Sequence, residues 1–181
     1  MKKRSPSVTT RTGDSGTSAD RSGTRDWKDA ALFRTLGTPD ELNSFVGVAK
    51  HHAGTHDELI AVQRTLQELG SPVATDPITA PELHAQLPLF GEDRIDLLEV
   101  WQRTMLGEIE LGREFVLPGA TPASAHVDVA RAVCRRAERE MVAFLRDTPR
   151  PDLETCLRWL NRLSDVLFVL ARRCERPVAR A

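Results

Sequence analysis

From residue 38 onward, apolar residues recur at helical spacing; before it they follow no sustained period. Residues 1–35 are rich in Thr, Ser, Gly, Asp and Arg and predict a loop or arm. Thr38-Pro39-Asp40-Glu41 then reads as a helix start, with a hydroxyl cap, Pro in the first turn and acid behind it. Leu42, Phe45, Val46, Ala49 and Ala53 continue at helical spacing, and Gly54 is the expected stop. A second helix opens near Asp57, its seam stepping through Leu59, Val62, Leu66, Leu69 and Val73, with a kink or end at Pro72.

Residues 76–91 hold Pro77, Pro81, Pro88 and Gly91 and predict a connection with at most one short turn. A third helix presents Ile95, Leu98, Trp101, Met105 and Ile109, ending at Gly112. A fourth presents Val127, Ala130, Cys134, Ala137, Met141 and Phe144, stopped by Pro149 and Pro151. The fifth runs from about Pro151 to Arg173 with Leu153, Leu157, Leu160, Leu163, Leu167 and Leu170 inward. No alternating strand of useful length and no internal repeat is present. The expected fold is all-α: one five-helix up-and-down bundle over 36–181, preceded by the arm at 1–35.

Composition narrows the function classes. With 181 residues, 28% charged and a net charge of -1, the chain lacks the global field that favours nucleic acid or an acidic membrane surface. There is no apolar run long enough for a membrane helix and no signal-peptide pattern, so a cytoplasmic protein is expected. Its three cysteines are too few and scattered for a disulfide framework and read as reduced thiols, at least two in helix cores. Trp27, Trp101 and Trp159 read as packing residues, and His51, His52 and His56 as a solvated cluster at a helix end.

Three stretches have polar groups suited to anion chemistry. In the fourth helix, Arg131, Arg135 and Glu138 fall within roughly 60° of one another at about 100° per residue. They flank the apolar seam, where guanidinium forks can grip phosphate. The same face equally suits solvated ion pairs such as Arg135 with Glu138. In the fifth helix, Asn161, Asp165, Phe168 and Arg172 share a side: Asn161 suits a purine or ribose edge, and Asp165 suits an arginine. In the arm, Thr10 to Thr17 (TRTGDSGT) can present backbone amides to an anion, although it matches neither a Walker loop nor GxGxxG.

Taken in order, TRTGDSGT (10–17), LGTPDELNSFVG (36–47), LQELGSPVAT (66–75), FVLPG (115–119), VARAVCRRAER (129–139) and LNRLSDVLFVLARR (160–173) resemble the PduO-type ATP:cob(I)alamin adenosyltransferases. The resemblance implies a homotrimer of ferritin-like bundles with active sites between subunits, binding ATP, Mg²⁺ and cobalamin as substrate. It places Thr10, Thr12, Gly13, Asp14, Gly16 and Thr17 in a nucleotide-binding arm, Arg135 on the triphosphate, Glu138 at nucleotide and metal, and Asn161 on the nucleoside. Asp40 and Arg131 match an inter-subunit salt bridge, and Phe115 matches the residue covering the lower corrin face. A cob(II)alamin reductase and an adenosylcobalamin-dependent enzyme are the implied partners.

Co(I) is itself a strong nucleophile, so such chemistry requires positioning and stabilisation of a leaving triphosphate, not a nucleophile–base pair. The chain departs from the family pattern at Ser15, where a lysine is usual, at Ala120 after Leu117-Pro118-Gly119, and at His126 and Asp128, where a small residue and a histidine are usual. Losing one charge-assisted phosphate contact at Ser15 costs about 1.5–3 kcal/mol. That loss motivates a second reading, a non-catalytic adenosylcobalamin or ATP carrier or sensor of the same fold.

Overall fold

A computed structural model describes residues 9–112 and 114–176 of the chain. Five long helices build the bundle: α1 (Ala31–Ala49), α2 (His56–Val73), α4 (Asp93–Glu108), α5 (Pro122–Asp147) and α6 (Glu154–Arg173), with a short α3 at Pro81–Ala85. Packing contacts set their lateral order as α2, α1, α5, α6, α4. The all-helical expectation is therefore met, and the predicted seams form the core. Leu42, Leu59, Leu69, Met105, Met141, Leu160, Leu163, Leu167 and Leu170 are almost wholly buried, together with Trp159.

The start of α1 differs from the sequence-based expectation. Thr38 is not a cap: its hydroxyl donates to the Arg34 carbonyl at 2.8 Å, and the helix begins at Ala31 with Pro39 in its interior. Leu32 and Leu36 pack against the core, and buried Thr35 donates to the carbonyls of Ala31 and Glu140. This packing outweighs the one backbone donor that Pro39 lacks. The other ends fall near their signals. In α2, Pro72 lies in the last turn, and α4 stops at Glu108 because Ile109 turns extended. Thr121 and Ser124 form a reciprocal capping box at the start of α5.

The arm also has more structure than its composition predicts. Strands β1 (Thr17–Ala19) and β2 (Arg25–Trp27) pair antiparallel, and Asp20 closes their turn by accepting from Ser22 Oγ and the Thr24 amide. Three-residue strands are too short to register as alternation, so periodicity could not reveal them. Trp27, expected in packing, is instead exposed on this hairpin. The Arg21 amide donates to Ala74 O at 3.0 Å, fastening the hairpin to the end of α2.

That end is itself held by Arg150, a buried side chain that donates to Pro72 O (2.9 Å) and Thr75 O (3.0 Å) and pairs with Asp152 at 2.7 Å. Burial works to raise the Asp152 carboxyl, but hydrogen bonds from Arg150 and His84 prevail and hold it below the usual carboxylate range. Among the described residues, no helix is long and apolar enough to cross a membrane.

Candidate active site

The arm loop is closed on itself by two cations. Arg25 Nη2 donates to Thr12 O (2.7 Å) and to Thr17 Oγ1 (2.8 Å) and O (3.2 Å). Lys28 Nζ donates to Gly13 O at 2.8 Å. A Cβ on Gly13 would lie 2.8 Å from that ammonium, so the glycine permits the close approach. Gly16 adopts φ 83°, a left-handed conformation that L side chains avoid, and Thr10 and Thr12 share a hydroxyl contact at 3.0 Å. Thr10, Thr12, Gly13, Asp14, Gly16 and Thr17 thus belong to one compact loop. Ser15 brings it no charge, whereas Lys28 does.

A second group of residues lies along α4, α6 and α5. One hollow of about 560 Å³ is lined by Glu138 and Val142 of α5, Leu157, Asn161 and Arg162 of α6, Asp96 and Glu99 of α4, and Glu92 just before it. Asn161 Nδ2 donates to Glu138 Oε1 at 2.8 Å, so these two predicted residues are in contact. The next turns of the same helices line a hollow of about 270 Å³ with Arg131, Arg135, Ser164, Asp165 and Phe168. Arg131, Arg135, Glu138 and Asn161 therefore occupy successive turns of one face.

The ion pairs along this face differ from those spacing suggests. Arg135 and Glu138 do not pair; the Arg135 guanidinium is exposed and has no acidic partner among the described residues. Asp165 pairs with Arg162 at 3.4 Å and not with Arg172, which turns inward to Asp128 at 2.6 Å. Arg131 Nε stands 3.6 Å from Asp128, while Asp40 is exposed on α1 and its carboxylate pairs with no described residue.

Phe115 lies on the connection between α4 and α5 and is fully exposed, as is most of Leu117. Val116, Leu111 and Phe168 line an adjoining hollow of about 350 Å³. An aromatic ring and aliphatic neighbours left in water form a surface whose burial against a flat apolar ligand is favourable. Arg162 entered the site without standing out in the sequence. Arg172 was marked by its place beside the leucine seam and Asp128 by its departure from the family pattern, but neither showed that the other is its partner.

The thiols are not part of this chemistry. Cys134 and Cys156 are buried, and burial raises both thiols, Cys156 to about 12. Among the described residues, no three His, Cys, Asp or Glu side chains converge to hold a metal by themselves.

A profile of the cobalamin adenosyltransferase family matches residues 8–174. Corrinoid adenosyltransferase MMAB of Homo sapiens is 38% identical over 175 residues, covering 93% of this chain and 69% of that protein. Corrinoid adenosyltransferase of Citrobacter freundii is 38% identical over 173 residues, covering 91% and 93%. A phenylalanine-to-histidine variant of the PduO-type ATP:corrinoid adenosyltransferase from Lactobacillus reuteri, complexed with cobalamin and ATP, superposes with a TM-score of 0.84 at 28% identity, over 93% and 91% of the two chains. The match spans the arm, the α5–α6 face and the Phe115 connection together, so the chain belongs to the cobalamin adenosyltransferase family.

Proposed function

We propose that the chain transfers the 5′-deoxyadenosyl group of ATP to Co(I) of a reduced corrinoid, releasing triphosphate. The Co(I) electron pair forms the Co–C5′ bond, and the C5′–O bond breaks with its electrons leaving on the triphosphate. No proton moves, so no general base is required. The observation that carries this reading is Arg135, an exposed guanidinium with no acidic partner among the described residues, set on one face with Arg131, Glu138 and Asn161. Such a cation is available to a leaving polyanion without first giving up an ion pair.

In this reading the arm loop closes over the triphosphate, and Lys28 supplies the ammonium that Ser15 does not. Asn161 meets the nucleoside, its amide oriented by Glu138. The donor set fits Mg²⁺ arriving with the nucleotide: the ion takes one or two carboxylates plus phosphate oxygens, and Glu138 is a half-exposed carboxylate on this face. When bound, Mg²⁺ supplies neutralisation of the developing triphosphate charge. Asp40 and Arg131, each open to a second chain, would bridge subunits of a homotrimer. Phe115 would cover the lower corrin face and exclude the axial base, easing reduction of Co(II). A cob(II)alamin reductase and an adenosylcobalamin-dependent enzyme would then flank the reaction in the cytoplasm.

The test is to mix the protein with ATP, Mg²⁺ and chemically reduced cob(I)alamin and follow the absorption change to adenosylcobalamin. ATP-dependent conversion is expected. A folded protein that binds adenosylcobalamin but forms none would overturn this reading in favour of the carrier, for which Ser15 is the motive.

A further inference from the structure

The Asp128 side chain, at the end of the second turn of α5, is 5% exposed and meets the 115–119 connection, α6 and the next turn of its own helix. Its Oδ2 accepts from the Gly119 amide at 3.2 Å and from Arg172 Nη2 of α6 at 2.6 Å. Its Oδ1 lies 3.6 Å from Arg131 Nε. Arg172 is equally inaccessible, 7% exposed, and pairs also with Glu175 at 2.9 Å. Both guanidinium groups flank the Phe168 ring, at 5.3 Å for Arg172 and 6.0 Å for Arg131.

A buried carboxylate is retained only where charge and hydrogen bonds offset its desolvation. Two of the compensating groups, the Gly119 amide and Arg131, belong to parts the proposed reaction uses, and the third, Arg172, braces them from α6. Gly119 ends the 115–119 connection, where φ 88° turns the chain back toward α5, and it lies four residues from Phe115. Phe115 has no packing of its own to hold it, because its side chain is fully exposed. Its height above the α5–α6 face is therefore set by the backbone at either end of the connection. The Gly119–Asp128 bond fixes the downstream end nearest Phe115, ahead of the Thr121–Ser124 capping box and the Thr121 hydroxyl on Cys174 O.

We infer that Asp128 is a positioning residue: braced by Arg172, its carboxylate anchors the Phe115 connection through the Gly119 amide and at the same time holds Arg131 toward the open face. This rests on the adenosyltransferase reading for its consequence, but the anchoring itself does not. It assigns a role to a residue at a position where the family pattern usually has histidine. An imidazole carries no anionic oxygen that could accept from both the Gly119 amide and Arg172 while its partner oxygen faces Arg131.

The experiment has two parts, each run on wild type, Asp128→Ala and Asp128→Asn. Amide exchange followed residue by residue reads the anchor directly. The Gly119 amide should exchange about tenfold or more faster in Asp128→Ala, with the α5 and α6 core amides unchanged. Asp128→Asn retains the shape and guards against a variant that does not fold. Its amide oxygen can accept from the same two donors but brings no charge to Arg172 and Arg131, so the same change is expected at smaller amplitude. Unaltered Gly119 protection in both variants overturns the anchor.

Turnover then reads the consequence. Activity starting from cob(II)alamin with reductant should fall about tenfold or more, and activity with pre-reduced cob(I)alamin much less, as for a misplaced Phe115. Equal losses on both substrates, or losses only in thermal stability, overturn the positioning role. A wild type that converts neither substrate overturns the adenosyltransferase reading instead, while the exchange result still decides the anchor.

Discussion

Asn161 Nδ2 donates to Glu138 Oε1 at 2.8 Å, tying α6 to α5 in the middle of the exposed face that both helices share. One oxygen of the carboxylate orients the amide and the other is left for a ligand. Glu138→Gln preserves the shape of this contact but removes the charge. It should raise the KM for ATP by one to two decades, on the scale of a charge-assisted hydrogen bond of about 1.5–3 kcal/mol. Titrating Mg²⁺ at fixed ATP checks the assignment: a variant as Mg²⁺-responsive as wild type would remove Glu138 from the metal's neighbourhood.

Arg135 makes no ion pair with any described residue. Arg135→Ala should therefore leave thermal stability within about 0.5 kcal/mol of wild type while lowering kcat by roughly 10²–10³, as expected for loss of a donor to a leaving group. Calorimetry and turnover on the same preparation separate the two effects. A variant that melts early would mark Arg135 as structural.

Phe115 is exposed, so its truncation opens no cavity and should not destabilise the bundle. Phe115→Ala should lose activity with cob(II)alamin under reduction far more than with cob(I)alamin. Comparable losses on both would count against base exclusion at this residue.

Lys28 sits on the Gly13 carbonyl and is the ammonium in contact with the arm loop. Lys28→Ala should weaken ATP binding by about one to two decades. Placing a lysine at the usual family position, Ser15→Lys, should recover part of that loss in the double variant. Isothermal titration with ATP is the measurement, and an additive double variant would show that the two positions serve different ligand atoms.

Burial holds the Cys156 thiol at about 12 against an ordinary value near 9, and raises Cys134 and the half-buried Cys174 as well. Folded-state values above unfolded ones mean that the stability contribution is intact below about pH 9 and is lost as pH climbs toward 12. Denaturation midpoints measured across that window should fall with rising pH. At pH 8 a thiol reagent should react with Cys174 ahead of the other two, whose modification should track unfolding.

Local periodicity is enough to specify the bundle. Apolar seams in the second, fourth and fifth predicted helices state which face is buried, because helical periodicity is a local property. The same periodicity put Arg131, Arg135 and Glu138 on one side of α5. Only the tertiary structure decided where α1 begins, since packing of Leu32, Thr35 and Leu36 outweighs the breaker at Pro39. It also decided which charges pair. Arg172 joins Asp128 across 44 positions and leaves Asp165 to Arg162, while Arg135 is left without a partner on its own helix. Spacing fixes the face a side chain leaves from, but long arginine side chains choose their acids by burial and by the backbone donors that converge on the same oxygens. Asp128 is the clearest case: Arg131 lies one helical turn away, but the Gly119 amide and Arg172 of α6 meet the same carboxylate only in the folded chain, and no local pattern can encode the Arg172 contact.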